Sequence, residues 1–379
     1  MFDLILRQAK TAGGELLDIA VFDGKLAAIG SLAADAKATQ VYDLQGKYWV
    51  SAGWIDSHVH CYAQSPLYHD EPDCVGVGSG VTTVIDAGST GANDVDDFYR
   101  ITRDAKTNVF AFLNIARTGI VTQNELADLS QIDKVGVRQA IARHSDFILG
   151  LKARMSSSVV GQNGIKPLEI AKTMQRENAG LPLMVHIGNN PPNLDDIADL
   201  LTSGDIITHC YNGKPNRILT AEGELRASIK RALARGVLLD VGHGSASFSF
   251  AVAEIAIRQG ILPHTISSDI YCRNRLAGPV HSLATVMSKF FGIGLTLAQV
   301  IDCVTVHAAD ALRLPAKGRL EVGADADLTL FDIVHTPQVF IDSEGLTLEG
   351  DRILVPLAAI VAGVPLPTDE GKSKNVFNL

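Results

Sequence analysis

Four histidines, one lysine and one aspartate sit at the ends of otherwise apolar runs of this sequence. His58 and His60 end the run from Trp54, Lys152 the run from Ile148, His186 the run from Leu183, His209 the run from Ile206 and Asp269 the run from Thr265. Within His58-Val59-His60, the period-two alternation of a strand turns both imidazoles to one face and Val59 to the other. Imidazoles with a carboxylate are a donor set suited to a borderline divalent ion such as zinc. A lone histidine at a strand end is ordinarily a hydrogen-bonded structural residue. Five strand ends carrying ionisable groups together change that reading, because so many facing one cavity need an ion to offset their burial.

Lys152 is the most informative of the six. The residues before it, Phe147-Ile148-Leu149-Gly150-Leu151, lead into the protein interior, where an unpaired ammonium would be strongly unfavourable. Burial beside cationic metals lowers a lysine pKa, and a neutral amine can add carbon dioxide to give a carbamate. The expected cofactors are therefore two divalent ions, zinc by ligand type, with the carbamate on Lys152 as a bridging carboxylate.

The elements that must position these groups are legible in the patterning. From Met1 to about Val50 there are short strands and turns, with Asp23-Gly24-Lys25 as a hairpin signal. Strand-like runs Ala326 to Phe331 and Ile353 to Val361 repeat the style near the C-terminus. Between them, short apolar runs alternate with amphipathic helices, the pattern of a parallel sheet. Eight such runs begin at Trp54, Val81, Val109, Ile148, Leu183, Ile206, Val237 and Thr265. Gly180, Gly236 and Gly260 stand where helix C-termini need a left-handed residue, and Thr296-Leu297-Ala298-Gln299 fits a capping box. Gly76-Val77-Gly78-Ser79-Gly80 imitates a phosphate loop but precedes a strand, so it reads as a tight turn. The expectation is an α/β protein: a (β/α)8 TIM barrel over 53–314, with a small β-sandwich domain from 1–52 and 315–379. Polar groups at strand carboxyl ends then share one rim of the barrel.

Composition limits the partners. The chain has 379 residues, 46% of them apolar and 20% charged, ample for a large core. A formal charge of −9 without a basic run argues against nucleic acid or an anionic membrane surface and favours a small molecule. An acid and a base within Met1 to Arg7, and no long uncharged stretch, lead to the expectation of a cytoplasmic chain. A homo-oligomer stays open. The five cysteines, Cys61, Cys74, Cys210, Cys272 and Cys303, are odd in number, have no CxxC spacing and read as small buried hydrophobes.

Ser51-Ala52-Gly53-Trp54-Ile55-Asp56-Ser57-His58-Val59-His60 resembles the first-strand signature of the amidohydrolase superfamily. Gly80-Val81-Thr82-Thr83-Val84-Ile85-Asp86 is similar to its second strand, and Gly323-Ala324-Asp325-Ala326-Asp327-Leu328 to its return into the small domain. The resemblance covers essentially the whole chain. It implies a binuclear site with His58, His60 and Asp269 on one metal, His186 and His209 on the other, and carboxylated Lys152 shared. Lys152-Ala153-Arg154-Met155, His209-Cys210-Tyr211-Asn212-Gly213 and His243-Gly244-Ser245-Ala246-Ser247-Phe248 look closest to the dihydroorotase-like amidohydrolase/deacetylase group. Tyr62 stands where dihydroorotases resemble HxHxR, and Asn189 where mononuclear deaminases carry the acid of HxxE. No glutamate lies in the third run, where sugar-phosphate deacetylases of the superfamily look for one, and no ligand is lost as in its non-catalytic scaffolds.

The group resemblance implies hydrolysis of an acyl group from a small carboxylate, either an N-acyl amino acid or an O-acyl α-hydroxy acid of the acetyl-mandelate kind. Hydroxide generated at the metals would attack, and Asp269 would serve as general base and acid. Arg154, two residues beyond Lys152 on the same face, is the candidate for the substrate carboxylate, with an ion pair to a neighbouring acid as its structural alternative. Asn212, His243, Tyr271 and Arg273 are further candidates for substrate contact, His243 as an oxyanion donor. The alternatives are a cyclic-amide hydrolase of dihydroorotase or hydantoinase type and a metal-free scaffold of the same fold.

Overall fold

The computed structural model of the chain describes residues 1–377. Five strands open it: β1 (Phe2–Lys10), β2 (Leu16–Phe22), β3 (Lys25–Gly30), β4 (Ala38–Asp43) and β5 (Trp49–Ala52). The β2–β3 hairpin turns at Asp23 and Gly24, both at positive φ, as its Asp-Gly signal requires. Seven parallel strands follow, β6 (Trp54–Val59), β7 (Val81–Ala87), β8 (Asn108–Asn114), β9 (Ile148–Met155), β10 (Leu183–Ile187), β11 (Ile206–Thr208) and β12 (Leu238–Asp240). They pair in chain order. The last three strands, β13 (Leu328–Ile341), β14 (Thr347–Val361) and β15 (Val364–Pro367), rejoin the first five in one sheet through antiparallel pairing of β13 with β5.

The eighth run, Thr265 to Asp269, occupies the last barrel position without forming a regular strand. It joins its neighbours at single bridges, Asp240 to Thr265 on one side and Val59 to Ile270 on the other. The Asp269 and His60 amides donate to His58 and Ile270 carbonyls at 2.7 and 2.9 Å, closing the circle onto β6. The ladder is interrupted for two reasons visible in the backbone. Ser268 donates its amide to the Asp56 carboxylate at 3.0 Å rather than to a strand carbonyl, and Asp269 adopts a φ of 50°. The strands at the C-terminal end are also longer than patterning suggested: β13 and β14 run on as a hairpin to Ile341 and from Thr347, packed on the helix Leu283–Ile293.

Two cores result. The terminal sheet closes over Leu4, Leu6, Ile19, Val21, Leu328, Leu330 and Ile360, with β3 hydrogen-bonded back to residues 323–324 at its free edge. Inside the barrel, Ile55, Ile85, Phe112, Met184 and Ile206 form an apolar layer sealed by Leu312 from the far end. Met184 reaches up from that layer to within 3.3 Å of Lys152 Nζ, so the ionisable groups stand on a dry floor. Helices Ala227–Ala234 and Phe250–Arg258 end at left-handed Gly236 and Gly260, and Thr296 and Gln299 form a reciprocal capping box. Gly76 to Gly80 holds one short helical turn, Val77–Ser79, ahead of β7. Cys61, Cys210 and Cys303 are buried, whereas Cys74, on the short helix Pro72–Val75, is exposed and Cys272, at the start of the helix Cys272–Ala277, is half-buried. No helix among the described residues is long and apolar enough to cross a membrane.

Candidate metal centre

The six groups, from five strand ends, meet in one place. His58 Nε2 and His60 Nε2 lie 3.4 and 3.1 Å from Asp269 Oδ1, and His58 Nε2 lies 3.1 Å from Lys152 Nζ. His209 Nε2 faces His186 Nδ1 at 2.8 Å. One donor atom from each of His58, His209 and Asp269 falls within 4.8 Å of the others. A tetrahedral shell with bonds of about 2.1 Å has edges of roughly 3.4 Å, so these separations suit donors converging on ions. A register irregularity in β6 between Asp56 and Val59 adjusts the two histidines relative to the strand.

The remote ring nitrogens explain which atoms are free. Thr208 Oγ1 donates to Asp240 at 2.7 Å, so it accepts from His58 Nδ1 at 2.9 Å and leaves the His58 Nε2 lone pair facing the cavity. His209 Nδ1 donates to the Gly242 carbonyl with the same consequence, and His60 Nδ1 is held by Ser89 Oγ at 2.8 Å. Burial, reinforced by the charge of Lys152, pushes His58 well below the usual histidine range. Burial, together with His209 and then the Arg154 and Lys152 charges, does the same for His186. Burial brings His209 down to about 4. All three are neutral at pH 7, the form that binds metal.

Lys152 is buried, and loss of hydration lowers its ammonium to about 8, against the opposing pull of Asp269 and Asp240. Burial alone would raise the Asp269 carboxyl, but the adjacent His58 imidazole and the His60 hydrogen bond outweigh it and hold the group well below the usual carboxylate range. His209 and Asp269 both sit at positive φ, 66° and 50°, conformations that strain a non-glycine residue and that concentrate at functional sites. Neighbouring glycines make the space. A Cβ at Gly88 would meet Lys152 Cγ at 2.8 Å, and one at Gly244 would collide with Asp269 Oδ2.

Beneath the donors, Asp56 accepts hydrogen bonds from the Ser268 amide and hydroxyl. Burial, with some repulsion from Asp240, pushes it up to about 7 despite those bonds. A carboxyl raised in the folded state contributes stability that is complete below the unfolded value and is lost as pH rises through about 7. Metal-free protein is therefore expected to lose stability relative to its Asp56→Asn variant by roughly 2 kcal/mol between pH 5 and pH 8, measured by urea unfolding at each pH. A pH-independent difference between the two proteins would contradict the assignment.

The donors open into a polar cavity of about 160 Å³. Of the residues expected to touch substrate, Arg154 and Tyr271 line it. Arg154 is also gripped by buried Glu125, Nε to Oε1 at 2.7 Å and Nη2 to Oε2 at 2.5 Å, so the ion-pair alternative is present as well. Tyr271 shares a hydrogen bond of 3.1 Å with Ser245, another wall residue.

The other three lie elsewhere. Asn212 is buried below the wall, donating to the His209 carbonyl at 2.8 Å and accepting from the Lys214 amide at 2.9 Å. His243 is fully buried, stacked on Phe248, with Nε2 held by Lys289 Nζ at 2.8 Å, so it cannot reach an oxyanion in the cavity. Arg273 is exposed on the helix Cys272–Ala277, away from the lining. Unforeseen lining residues include Tyr68, Gln123, Asn189 and Lys214. Tyr62 hydrogen-bonds Asp97 at 3.0 Å instead of facing the cavity. A larger cavity of about 530 Å³ lies between the 277–281 turn and β13, but it contains none of the converging donors, so size alone is no guide to the chemistry.

Comparison with known proteins identifies relatives of the chain. The model of the amidohydrolase family matches residues 49–362. A protein of Enterococcus faecalis (strain ATCC 700802 / V583) named "Deacetylase" is 46% identical over 363 residues, 96% of this chain and 98% of its own. A solved structure described as an adenine deaminase is 46% identical with a TM-score of 0.95, over 97% of this chain and 100% of that one. Another, described as a dihydroorotase, is 33% identical with a TM-score of 0.86, over 96% and 97%. The chain therefore belongs to the amidohydrolase family and is a metal-dependent hydrolase.

Proposed function

We propose that this enzyme removes an acyl group from a small carboxylate, either an N-acyl amino acid or an O-acyl α-hydroxy acid. In this reading His58, His60, His186, His209 and Asp269 would hold two zinc ions, with a carboxylated Lys152 as a shared ligand. The observation that carries it is the pairing of an ionised Asp269 and neutral imidazoles with a small cavity whose wall presents the cation Lys214 beside the Glu125-paired Arg154. At about 160 Å³ the space lies well below the ~300–1,000 Å³ of drug-sized pockets, which favours a compact substrate. The deacetylase relative supports acyl hydrolysis.

The bound ions supply Lewis acidity toward a carbonyl oxygen and a water. Asp269 can divide its two oxygens: Oδ1 faces His58 and His60, while Oδ2 lies against the bare backbone of Gly244. Ionised, it takes the proton released as the water attacks and returns it to the leaving nitrogen or oxygen. The Ser89, Thr208 and Gly242 bonds keep the imidazoles oriented throughout. The same groups serve an ester and an amide, so the reading covers both.

The structure described as an adenine deaminase favours a second reading, hydrolytic deamination of a purine. Ring opening of a cyclic amide is a third, favoured by the dihydroorotase neighbour. The test is a panel of N-acetyl amino acids and O-acetyl α-hydroxy acids, both enantiomers of each, run beside adenine and a cyclic ureide on zinc-loaded enzyme. Acetate release from at least one acylated acid, at a kcat/KM above that for adenine and the ureide, is expected. Ammonia from adenine or ring opening of the ureide, with no acetate release, would overturn the proposal.

A further inference from the structure

Lys214 stands in the turn after β11, where Asn212 Oδ1 accepts its amide and fixes the backbone that presents it. Its side chain passes close to Gly188, where an added Cβ would lie 3.5 Å from Lys214 Cδ and 3.7 Å from His186 Nε2. It lines the same cavity as His186, Arg154 and Asp269. The two wall cations differ in one decisive respect. Arg154 is bidentate with buried Glu125, and its guanidinium makes further contacts with Gln123 and Thr122. Among the described residues, the Lys214 ammonium makes neither an ion pair nor a side-chain hydrogen bond, unlike Lys172 and Lys317, each of which is paired with an aspartate.

A half-buried cation without a partner, aimed into a cavity beside a reaction centre, is arranged for an anion that arrives with the substrate. Arg154, neutralised by Glu125, serves instead to brace the wall. Resting on the small-carboxylate reading above, we infer that Lys214 is the residue that binds the substrate carboxylate and sets the preference for anionic over neutral acyl compounds. Arg154, the residue that spacing alone nominated, contributes hydrogen bonds to the wall and little net charge.

The test compares an N-acetyl amino acid turned over by the enzyme with its carboxamide, in wild type, Lys214→Met and Lys214→Arg. A charge-assisted hydrogen bond is worth on the order of ten- to a hundredfold in affinity. Wild type is expected to prefer the acid by about that factor. Lys214→Met should lose the preference, the loss falling on KM for the acid, and Lys214→Arg should retain most of it. Competition by the non-hydrolysable anion propionate, against its amide, gives the same comparison at the level of binding. Wild type that treats acid and carboxamide alike would defeat the small-carboxylate reading itself. Wild type that prefers the acid, with the preference intact in Lys214→Met, would defeat only the assignment to Lys214.

Discussion

Replacing Asp269 by Asn is expected to leave most of the bound metal in place while lowering kcat by about 10²–10⁴, the range that a positioned acid–base group supplies. Asparagine keeps an oxygen near His58 and His60, which lie within 3.4 Å of the native carboxylate, but it cannot accept and return a proton. The carboxyl is held far into its ionised form by the surrounding imidazoles, so the native enzyme should stay active down to acidic pH until the ligands themselves protonate. Metal analysis beside steady-state kinetics checks this. Full activity in the variant would remove Asp269 from the proton-transfer role, and loss of metal together with activity would reduce it to a ligand.

Lys152→Met is expected to drop the metal content from two ions to one or none per chain and to lower kcat/KM on the order of a thousandfold or more. The metal-free variant should be at least as stable as metal-free wild type, since the native ammonium is buried and its hydration loss lowers it to about 8. An apolar side chain of similar length does not carry that penalty. Calorimetric unfolding of both proteins separates this from misfolding. Short carboxylates such as acetate should restore part of the activity by occupying the space of the missing bridge. A variant that keeps two ions and full turnover would show that Lys152 joins nothing.

The parts of the fold and site that could be read in the sequence are those fixed by local periodicity. His58-Val59-His60, Lys152, His186 and His209 close apolar runs, and each run did become a strand or its immediate end. The eighth run failed as a regular strand because Asp56, a residue 212 positions away, takes a backbone donor that the ladder would have used. Side-chain direction on loops was not legible either. Arg273 follows Tyr271 by two positions yet lies on a helix facing solvent, and His243 sits behind Phe248 because Lys289, from a distant helix, holds its ring. Lys214 was missed because nothing in Asn212-Gly213-Lys214 announces that the turn points its third residue at the cavity. The partner of Arg154 was equally hidden, since Glu125 comes from the loop after β8 and carries no motif.

We propose that six side chains from five strand ends hold two ions with a modified lysine between them. Anomalous diffraction at the zinc edge, on crystals grown with zinc and bicarbonate, tests it most directly. The account predicts two peaks, one beside His58, His60 and Asp269 and one beside His186 and His209, with continuous density beyond Lys152 Nζ reaching both. A single peak, or two peaks with Lys152 ending at its amine, would contradict it.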